Sequence, residues 1–372
     1  MKLFIVVNVD WFFLSHRLPI AVAAKMQGYD VTIVSKDTGR REEIEKYGLK
    51  FIDMPFSRSG TNVRTELATI YKLFRLYKSH KPHLLHHVTL KIAIYGSIAA
   101  KLASIKRIVN AISGLGYNFT DNRSGFIQRI LNKLMKIAFG NGRTHFIFQN
   151  QDDITVFKNL NLVSDNQISL IKGSGVDLNI YTQKPAPHET PIIVLFAARM
   201  LVDKGVMEFI DAARELKASF QDKARFILAG DVDHENLASL KKEDIEKVID
   251  GQYITWIGFQ KNMINILENA AIVVLPSYRE GLPKSLIEAA AVGRPIVTTN
   301  VPGCKECVID GFNGFLVPLK STVQLSLAIR KLINDDNLRQ TMGFNSRSLA
   351  EKEFSVQSVV DKTLGIYKTF DI

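Results

Sequence analysis

The stretch SYREGLPKSLIEAAAVGRPIVTTNVPGCKECVIDGFNGFLVP, residues 277–318, carries two glutamates, Glu280 and Glu288, on either side of a helix start. The apolar run Ala271 to Leu275 in front of it reads as a buried strand and Pro276 to Gly281 as a turn. Pro283 is the expected first helical residue, where a missing N–H costs nothing. Backbone N–H groups around Gly281 and Leu282, with the positive end of the helix dipole, then make a seat for a phosphate. Glu288 follows two turns on, and one carboxylate has acceptor sites enough for a vicinal hydroxyl pair such as that of a ribose. A buried strand feeding a helix, with an anion seat between them, is a unit of a parallel, doubly wound α/β sheet.

The same alternation extends in both directions. Strands are predicted at Ile192 to Phe196, Arg225 to Leu228, Tyr253 to Trp256, Ala271 to Leu275 and Pro295 to Thr298. An earlier series comprises Lys2 to Val7, Asp30 to Ser35, Lys50 to Met54, Leu84 to Val88, Arg107 to Ala111 and Thr144 to Phe148. Between the series, Thr182 to Thr190 (TQKPAPHET) is polar and holds two prolines, which fits a linker. With 372 residues, long for one core, the chain reads as two Rossmann-like domains, 1–185 and 186–354, followed by a final segment 355–372. Ligands of such sheets bind beyond the carboxyl ends of strands. Arg199 and Lys204, Gly230, Gly258 and Glu280 each follow a predicted strand of the second series, which puts them on one rim.

At Glu280 through Ala289 the sequence resembles the retaining glycosyltransferases of family 4, marked by Glu-x7-Glu in the setting E-G-[LF]-P-x-S-[LV]-x-E-A. Further similar pieces are Ala198-Arg199 with Lys204-Gly205, Gly258, Gly173-Ser174-Gly175-Val176-Asp177 and Gly314-Phe315-Leu316-Val317-Pro318. The resemblance covers the second half strongly and the first half in outline. It implies the GT-B architecture, two Rossmann-like domains facing across a cleft, with the segment 355–372 a helix returning to the first domain. The implied reaction moves a sugar from a nucleotide diphosphate sugar, most often a UDP-sugar, to a hydroxyl with retention of configuration and without metal or other cofactor. By this resemblance Arg199 and Lys204 stabilise the leaving phosphate, and Glu280 contacts the donor sugar or its phosphate side. Glu288 takes the ribose, Gly281 and Leu282 the phosphate, while Gly258 and Gly230 let backbone approach the nucleotide. Lys284 either adds a third cation or points into solvent. Where many members carry Gly-Gly after the first strand, this chain has a bulky loop, Asn8 to Phe13, then Ser15-His16-Arg17. His16 or Arg17 would there replace the amides. Ser113, in Ile112-Ser113-Gly114-Leu115-Gly116, stands where many members have a sugar-contacting histidine, and His87 is the candidate to take over that role.

Charge separates the halves: residues 1–185 hold 26 Lys or Arg against 13 Asp or Glu, and the remainder 22 against 24. Residues 54–151 carry 15 basic side chains and two acidic ones, Glu66 and Asp121, a block suited to a polyanion. In it Ile70, Leu73, Phe74, Leu76 and Tyr77 alternate with Lys72, Arg75 and Lys78. Likewise Phe126, Ile127, Ile130, Leu131, Leu134 and Ile137 alternate with Arg129, Lys133 and Lys136. Both read as basic amphipathic helices, which either hold the enzyme at an anionic membrane surface or pack their apolar sides into its own core. Nucleic-acid recognition motifs are missing, and no nucleic-acid partner is expected. The first strand is not followed by Gly-x-Gly-x-x-Gly, which weakens a dehydrogenase reading, and there is no Walker loop or serine elbow, which narrows the enzyme classes further.

Cys304-x2-Cys307 lacks the second pair a zinc site needs and reads as two reduced thiols. His83, His86 and His87 cluster without a carboxylate, so cleft or core roles are expected and no metal. The run Leu3 to Leu14, broken by Asn8 and Asp10, reads as neither a span nor a signal peptide, and a cytoplasmic protein on the inner face of the cell membrane is expected. The expected acceptor is a lipid-linked sugar. A soluble acceptor, or an epimerase or hydrolase on the same architecture, is the alternative.

Overall fold

The computed structural model describes residues 1–56, 63–115, 125–140 and 144–370, without the side chains of 125–128. Gly116, Asp121 and the side chains of Phe126 and Ile127 lie outside the described residues. The chain divides into two units, Met1–Ser174 with Val356–Ile372, and Gly175–Ser355.

The first unit is built on seven strands: β1 (Lys2–Val9), β2 (Asp30–Lys36), β3 (Lys50–Asp53), β4 (Leu84–Val88), β5 (Ile108–Ile112), β6 (Thr144–Phe148) and β7 (Ile168–Leu170). They are all parallel, in the order β3-β2-β1-β4-β5-β6-β7. The second unit has β8 (Ile192–Ala197), β9 (Ala224–Ala229), β10 (Ile254–Trp256), β11 (Ala270–Leu275), β12 (Ile296–Thr299) and β13 (Gly314–Val317), again all parallel, ordered β10-β9-β8-β11-β12-β13. Helices cover both faces, which is why the central strands are buried end to end and read as unbroken apolar runs. Phe196, Phe209 and Phe226 pack through the second core as tilted rings with centroids 5.5 and 5.6 Å apart. Burial of each such ring contributes about 2 to 3 kcal/mol.

In both sheets the strand order reverses once, between β1 and β4 and between β8 and β11. A crevice opens at such a reversal because the connections on its two sides leave in opposite directions.

One boundary differs from the sequence reading. The chain leaves the first unit between Gly173 and Gly175, both in the left-handed region (φ +70° and +76°), rather than near residue 185. The polar stretch around residue 185 is tied to the second unit instead: Lys184 N–H donates to Val292 O, and Ala186 exchanges hydrogen bonds with the Gln340 amide. The returning helix Val356–Lys368 belongs to the first unit, where Tyr367 and Leu364 enter the core. The edge strands β7 and β13 escape the sequence reading. One is three residues of mixed polarity, and the other opens on Gly314, where any side chain would collide with Ile296 O.

Candidate active site

The turns that leave β8 and β11 are locked together. After β8 the turn Val202–Lys204 ends in Gly205 at φ +76°, and a Cβ there would sit 2.2 Å from Pro276 O, in the turn after β11. Tyr278 N–H donates to Asp203 O at 2.8 Å, closing the two loops on each other. This contact brings Lys204 Nζ onto Glu280 Oε1 as an ion pair with both side chains largely buried. Ser277 Oγ lies 2.7 Å from the same Glu280 oxygen and 2.9 Å from Asp203 O. Burial pushes the Asp203 carboxyl up, Lys204 opposes this and Glu280 reinforces it, and Asp203 Oδ1 is buried without a hydrogen-bond partner among the described residues. A lysine already paired with a carboxylate at a strand-order reversal is a cation that an incoming anion can engage without carrying the whole desolvation cost.

The helix after this turn is Lys284–Val292, with Pro283 at the N-cap, one residue outside the helix rather than its first residue. Pro283 O accepts from Leu286 N–H at 3.1 Å, while Gly281 and the buried Leu282 form the approach to it. Glu288 is 7% exposed, so its carboxylate needs donors. Tyr181 O–H donates to Glu288 Oε1 at 2.8 Å and Lys284 Nζ lies 3.5 Å from that same oxygen. Burial raises the Glu288 carboxyl, against the pull of Lys284 and Tyr181. Lys284 therefore neither stands alone as a third cation nor simply points into solvent: it is half-buried beside Glu288.

Arg199, two residues beyond β8, pairs through Nη1 with Asp233 Oδ2 and remains 41% exposed. Gly230 follows β9 at φ +137°, where a Cβ would fall 1.9 Å from Ala198 O, so no other residue fits. Its N–H donates to Gly258 O at 2.8 Å and its carbonyl accepts from Trp256 Nε1 at 2.7 Å. Gly258 has open space where a side chain would project, but its backbone sits at φ +65°. Glu280, Glu288, Arg199, Lys204, Lys284, Gly230, Gly258, Gly281 and Leu282 thus all follow the carboxyl ends of strands of one sheet. Sequence reading passed over Ser277, Asp203 and Tyr181. The first two were signalled by lying three residues before Glu280 and one before Lys204, whereas Tyr181 had no local signal.

In the first unit the expected bulky loop after β1 is instead helical, Asp10–His16. Asp10 is fully buried and accepts from Trp11 N–H, Thr38 N–H, Thr38 Oγ1 and Arg40 N–H, which ties the helix to the loop after β2. His16 is half-buried, its ring stacked on Phe12 at 4.0 Å. Arg17 is buried and donates to the neighbouring His16 carbonyl at 3.0 Å and to Ser113 Oγ at 3.3 Å, which brings the Arg17 and Ser113 side chains together. Burial lowers the Arg17 guanidinium to about 10.

His87 does not join them. It is fully buried, with Nδ1–H donating to Asn110 Oδ1 at 2.9 Å and Nε2 accepting from Tyr77 O–H at 3.0 Å, and the backbone of Gly96 lies against its ring. A ring with both nitrogens spent in the core has no group left for a sugar, so the role expected of His87 is corrected to a structural one. His86 points to the other face of the sheet, onto the Tyr367 hydroxyl, so the two neighbours cannot share a metal ion. Among the described residues no group of three or more potential metal ligands is present. Cys304 and Cys307 are buried and form no disulfide, and burial pushes the Cys304 thiol up to about 12.

Residues 2–150 match the family model for glycosyl transferase 4-like domains and residues 179–349 the model for glycosyl transferases group 1. A relative from Campylobacter jejuni, named N,N'-diacetylbacillosaminyl-diphospho-undecaprenol alpha-1,3-N-acetylgalactosaminyltransferase, is 30% identical over 90% of this chain and 92% of its own length. The chain is a glycosyltransferase of this family. A second relative of the transferase is the Escherichia coli UDP-Gal:alpha-D-GlcNAc-diphosphoundecaprenol alpha-1,3-galactosyltransferase, 24% identical over 91% of this chain and 89% of its own. The crystal structure of Anabaena HepE in complex with UDP superimposes with a TM-score of 0.77 at 17% identity, covering 99% of both chains. The glycosyltransferase therefore has the GT-B type of fold, two Rossmann-like domains.

Proposed function

We propose that this glycosyltransferase takes a sugar from a nucleoside diphosphate sugar, with UDP the expected nucleotide, and places it on a hydroxyl of a polyprenyl-diphosphate-linked sugar with retention of configuration. The observation that carries the reading is the Lys204–Glu280–Ser277 cluster at the reversal between β8 and β11, with the buried carboxylate of Glu288 on the helix that follows. As the bond to the leaving phosphate lengthens, negative charge grows on its oxygens, and fixed cations there stabilise the transition state more than the ground state. Lys204 supplies a point charge and Arg199 a planar fork for two oxygens. Glu280 positions Lys204 and meets the donor sugar, and Glu288 accepts from the ribose hydroxyls. In the first unit His16, Arg17 and Ser113 serve the acceptor side. No metal enters this reading, and full activity in EDTA is the expected result. The names of the Campylobacter and Escherichia relatives, both acting on undecaprenyl-diphosphate-linked sugars, support the acceptor class.

The acceptor's lipid calls for a membrane surface, at the cytoplasmic face. Among the described residues no helix is long and apolar enough to cross a membrane. The helices Val63–His80 and Gly125–Phe139 both pack on the helix Leu90–Leu102, burying Leu73 and Tyr77 from one and Met135 and Phe139 from the other. Each also leaves apolar side chains in solvent: Val63, Leu67 and Tyr71, four residues apart, and Ile130 and Ile137. Exposed Arg64, Lys72, Arg75, Lys78, Arg129, Lys133 and Lys136 flank them. Core packing thus accounts for one side of each helix, and the other side suits an anionic leaflet.

The test has two arms. Protection against heat by UDP- and GDP-sugars identifies the donor, since a ligand at a hundred times its Kd stabilises by about 2.7 kcal/mol. Transfer to a polyprenyl-diphosphate-linked sugar, with the product anomer read by NMR, checks acceptor and retention. Donor consumption without acceptor, or product of inverted configuration, overturns the proposal.

A further inference from the structure

We infer that Tyr181 is the positioning residue for Glu288, fixing that carboxylate so that it is ready to accept the nucleotide's ribose, and that Arg347 braces the pair. The inference rests on the reading of Glu288 given under Proposed function and adds to it a residue outside the Glu-x7-Glu stretch.

Tyr181 lies four residues after Asp177, in the segment where the chain enters the second unit. Its hydroxyl donates to Glu288 Oε1 at 2.8 Å, and Lys284 Nζ approaches that same oxygen at 3.5 Å. Both contacts converge on Oε1, so one oxygen of the carboxylate is anchored and Oε2 is the one to accept hydroxyls. A phenol suits the anchoring. It has only two rotatable angles and holds its donor at a fixed height above the backbone. It also stays protonated, because burial and the neighbouring carboxylate push its own ionisation upward.

The anchor works only if the Tyr181 backbone and the helix of Glu288 keep their spacing, and one side chain sets it. Arg347, on the helix Asp336–Glu353, donates through Nη1 to Tyr181 O at 2.6 Å and to Ala291 O at 2.7 Å, in the last turn of the helix that carries Glu288. Its Nε pairs with Glu351 at 2.7 Å, which fixes the guanidinium plane. The tie therefore runs from helix to arginine to tyrosine to carboxylate. A consequence for Lys284 follows: with Tyr181 holding Oε1, this lysine can turn to the diphosphate without leaving Glu288 bare in the core.

The experiment is Tyr181→Phe in the full chain, beside Glu288→Ala, with the nucleoside diphosphate selected by the protection screen, UDP or GDP, titrated calorimetrically across pH 5.5–8. Loss of one hydrogen bond to a carboxylate predicts about tenfold weaker nucleotide binding for Tyr181→Phe. The loss appears in the donor KM rather than kcat, and it deepens on acidification, because a carboxylate deprived of a donor protonates at higher pH. The 2'-deoxynucleotide discriminates a specific role from a structural one. Removing the 2'-hydroxyl weakens binding to wild type, and that penalty shrinks in Tyr181→Phe, which a general loosening of the fold does not produce. Wild-type affinity and pH profile in Tyr181→Phe, with binding lost in Glu288→Ala, overturns the inference alone. Unchanged binding in Glu288→Ala, or no binding of either nucleotide to wild type, overturns the reading beneath it.

Discussion

The two units use the same sheet reversal to opposite ends. Beyond β8 and β11 the charged groups come in opposite-sign pairs, Lys204 with Glu280, Lys284 with Glu288 and Arg199 with Asp233. In the first unit the buried polar groups near the sheet meet mostly neutral partners: Arg17 meets a serine and a carbonyl, His86 a tyrosine, and His87 a tyrosine and an asparagine. Ion pairs can exchange one partner for a ligand of like charge, whereas a neutral hydrogen-bond chain in a core has nothing to trade. Thr89, the residue after β4, at φ +78°, belongs to the second kind. Its β-branched side chain holds a left-handed backbone while its hydroxyl donates to Asn8 at 2.8 Å. The difference assigns the donor's charge chemistry to the second unit and architecture to the buried histidines of the first.

Acid offers the largest break in this comparison. Burial holds His87 at about 4 and His86 well below its ordinary value of 6.5, with Arg17 adding to the latter. A histidine whose folded pKa is depressed stabilises the fold above its unfolded pKa and loses that contribution as pH falls, here from 6.5 toward 4. His87 alone then accounts for a loss on the order of 3 kcal/mol across that window. The histidines of the second unit, His188 and His234, are not buried, so denaturant unfolding followed by hydrogen exchange at about pH 4.5 should show the first unit opening first. Simultaneous opening of both units removes the contrast. His87→Ala should reproduce part of the effect at neutral pH, costing about 2 to 3 kcal/mol by opening a cavity and removing the partner of the buried Tyr77 hydroxyl, with kcat per folded molecule unchanged. A selective loss of turnover without loss of stability would return His87 to the acceptor site.

Next in size are the paired charges. Lys204→Ala and Glu288→Ala should each lower kcat/KM per folded molecule at least tenfold, about 1.4 kcal/mol. Wild-type rates in either variant remove that residue from the chemistry. The smallest effect concerns the exposed basic helices. Lys72→Ala should weaken sedimentation with anionic vesicles by about fivefold at low salt, the equivalent of about 1 kcal/mol, and the difference should vanish at high salt. Vesicle binding insensitive to charge and salt would leave these helices as solvated faces only.

What is legible in the chain without its structure follows the same division. The Glu-x7-Glu stretch announces itself because its strand, turn and helix signals sit next to one another, and the apolar runs of β8 and β11 need no partner to be recognised. Tyr181 and Arg347 are invisible because their significance lies in contacts to residues more than fifty positions away. Asp10 misleads for the opposite reason: an acid interrupting an apolar run suggests a loop, yet its carboxylate is satisfied by Thr38 and Arg40 and the chain around it is helical. His87 misleads by proximity to a strand end, since position along a strand does not reveal which side of the sheet a ring faces.

The helix Val356–Lys368 has one more effect, on how the polypeptide is made. The second unit is a single uninterrupted segment and can fold as soon as it clears the ribosome, whereas the first unit lacks Tyr367, the partner of His86, until the last of the described helices has been synthesised. The core of the first unit around His86 therefore closes only when the helix Val356–Lys368 docks.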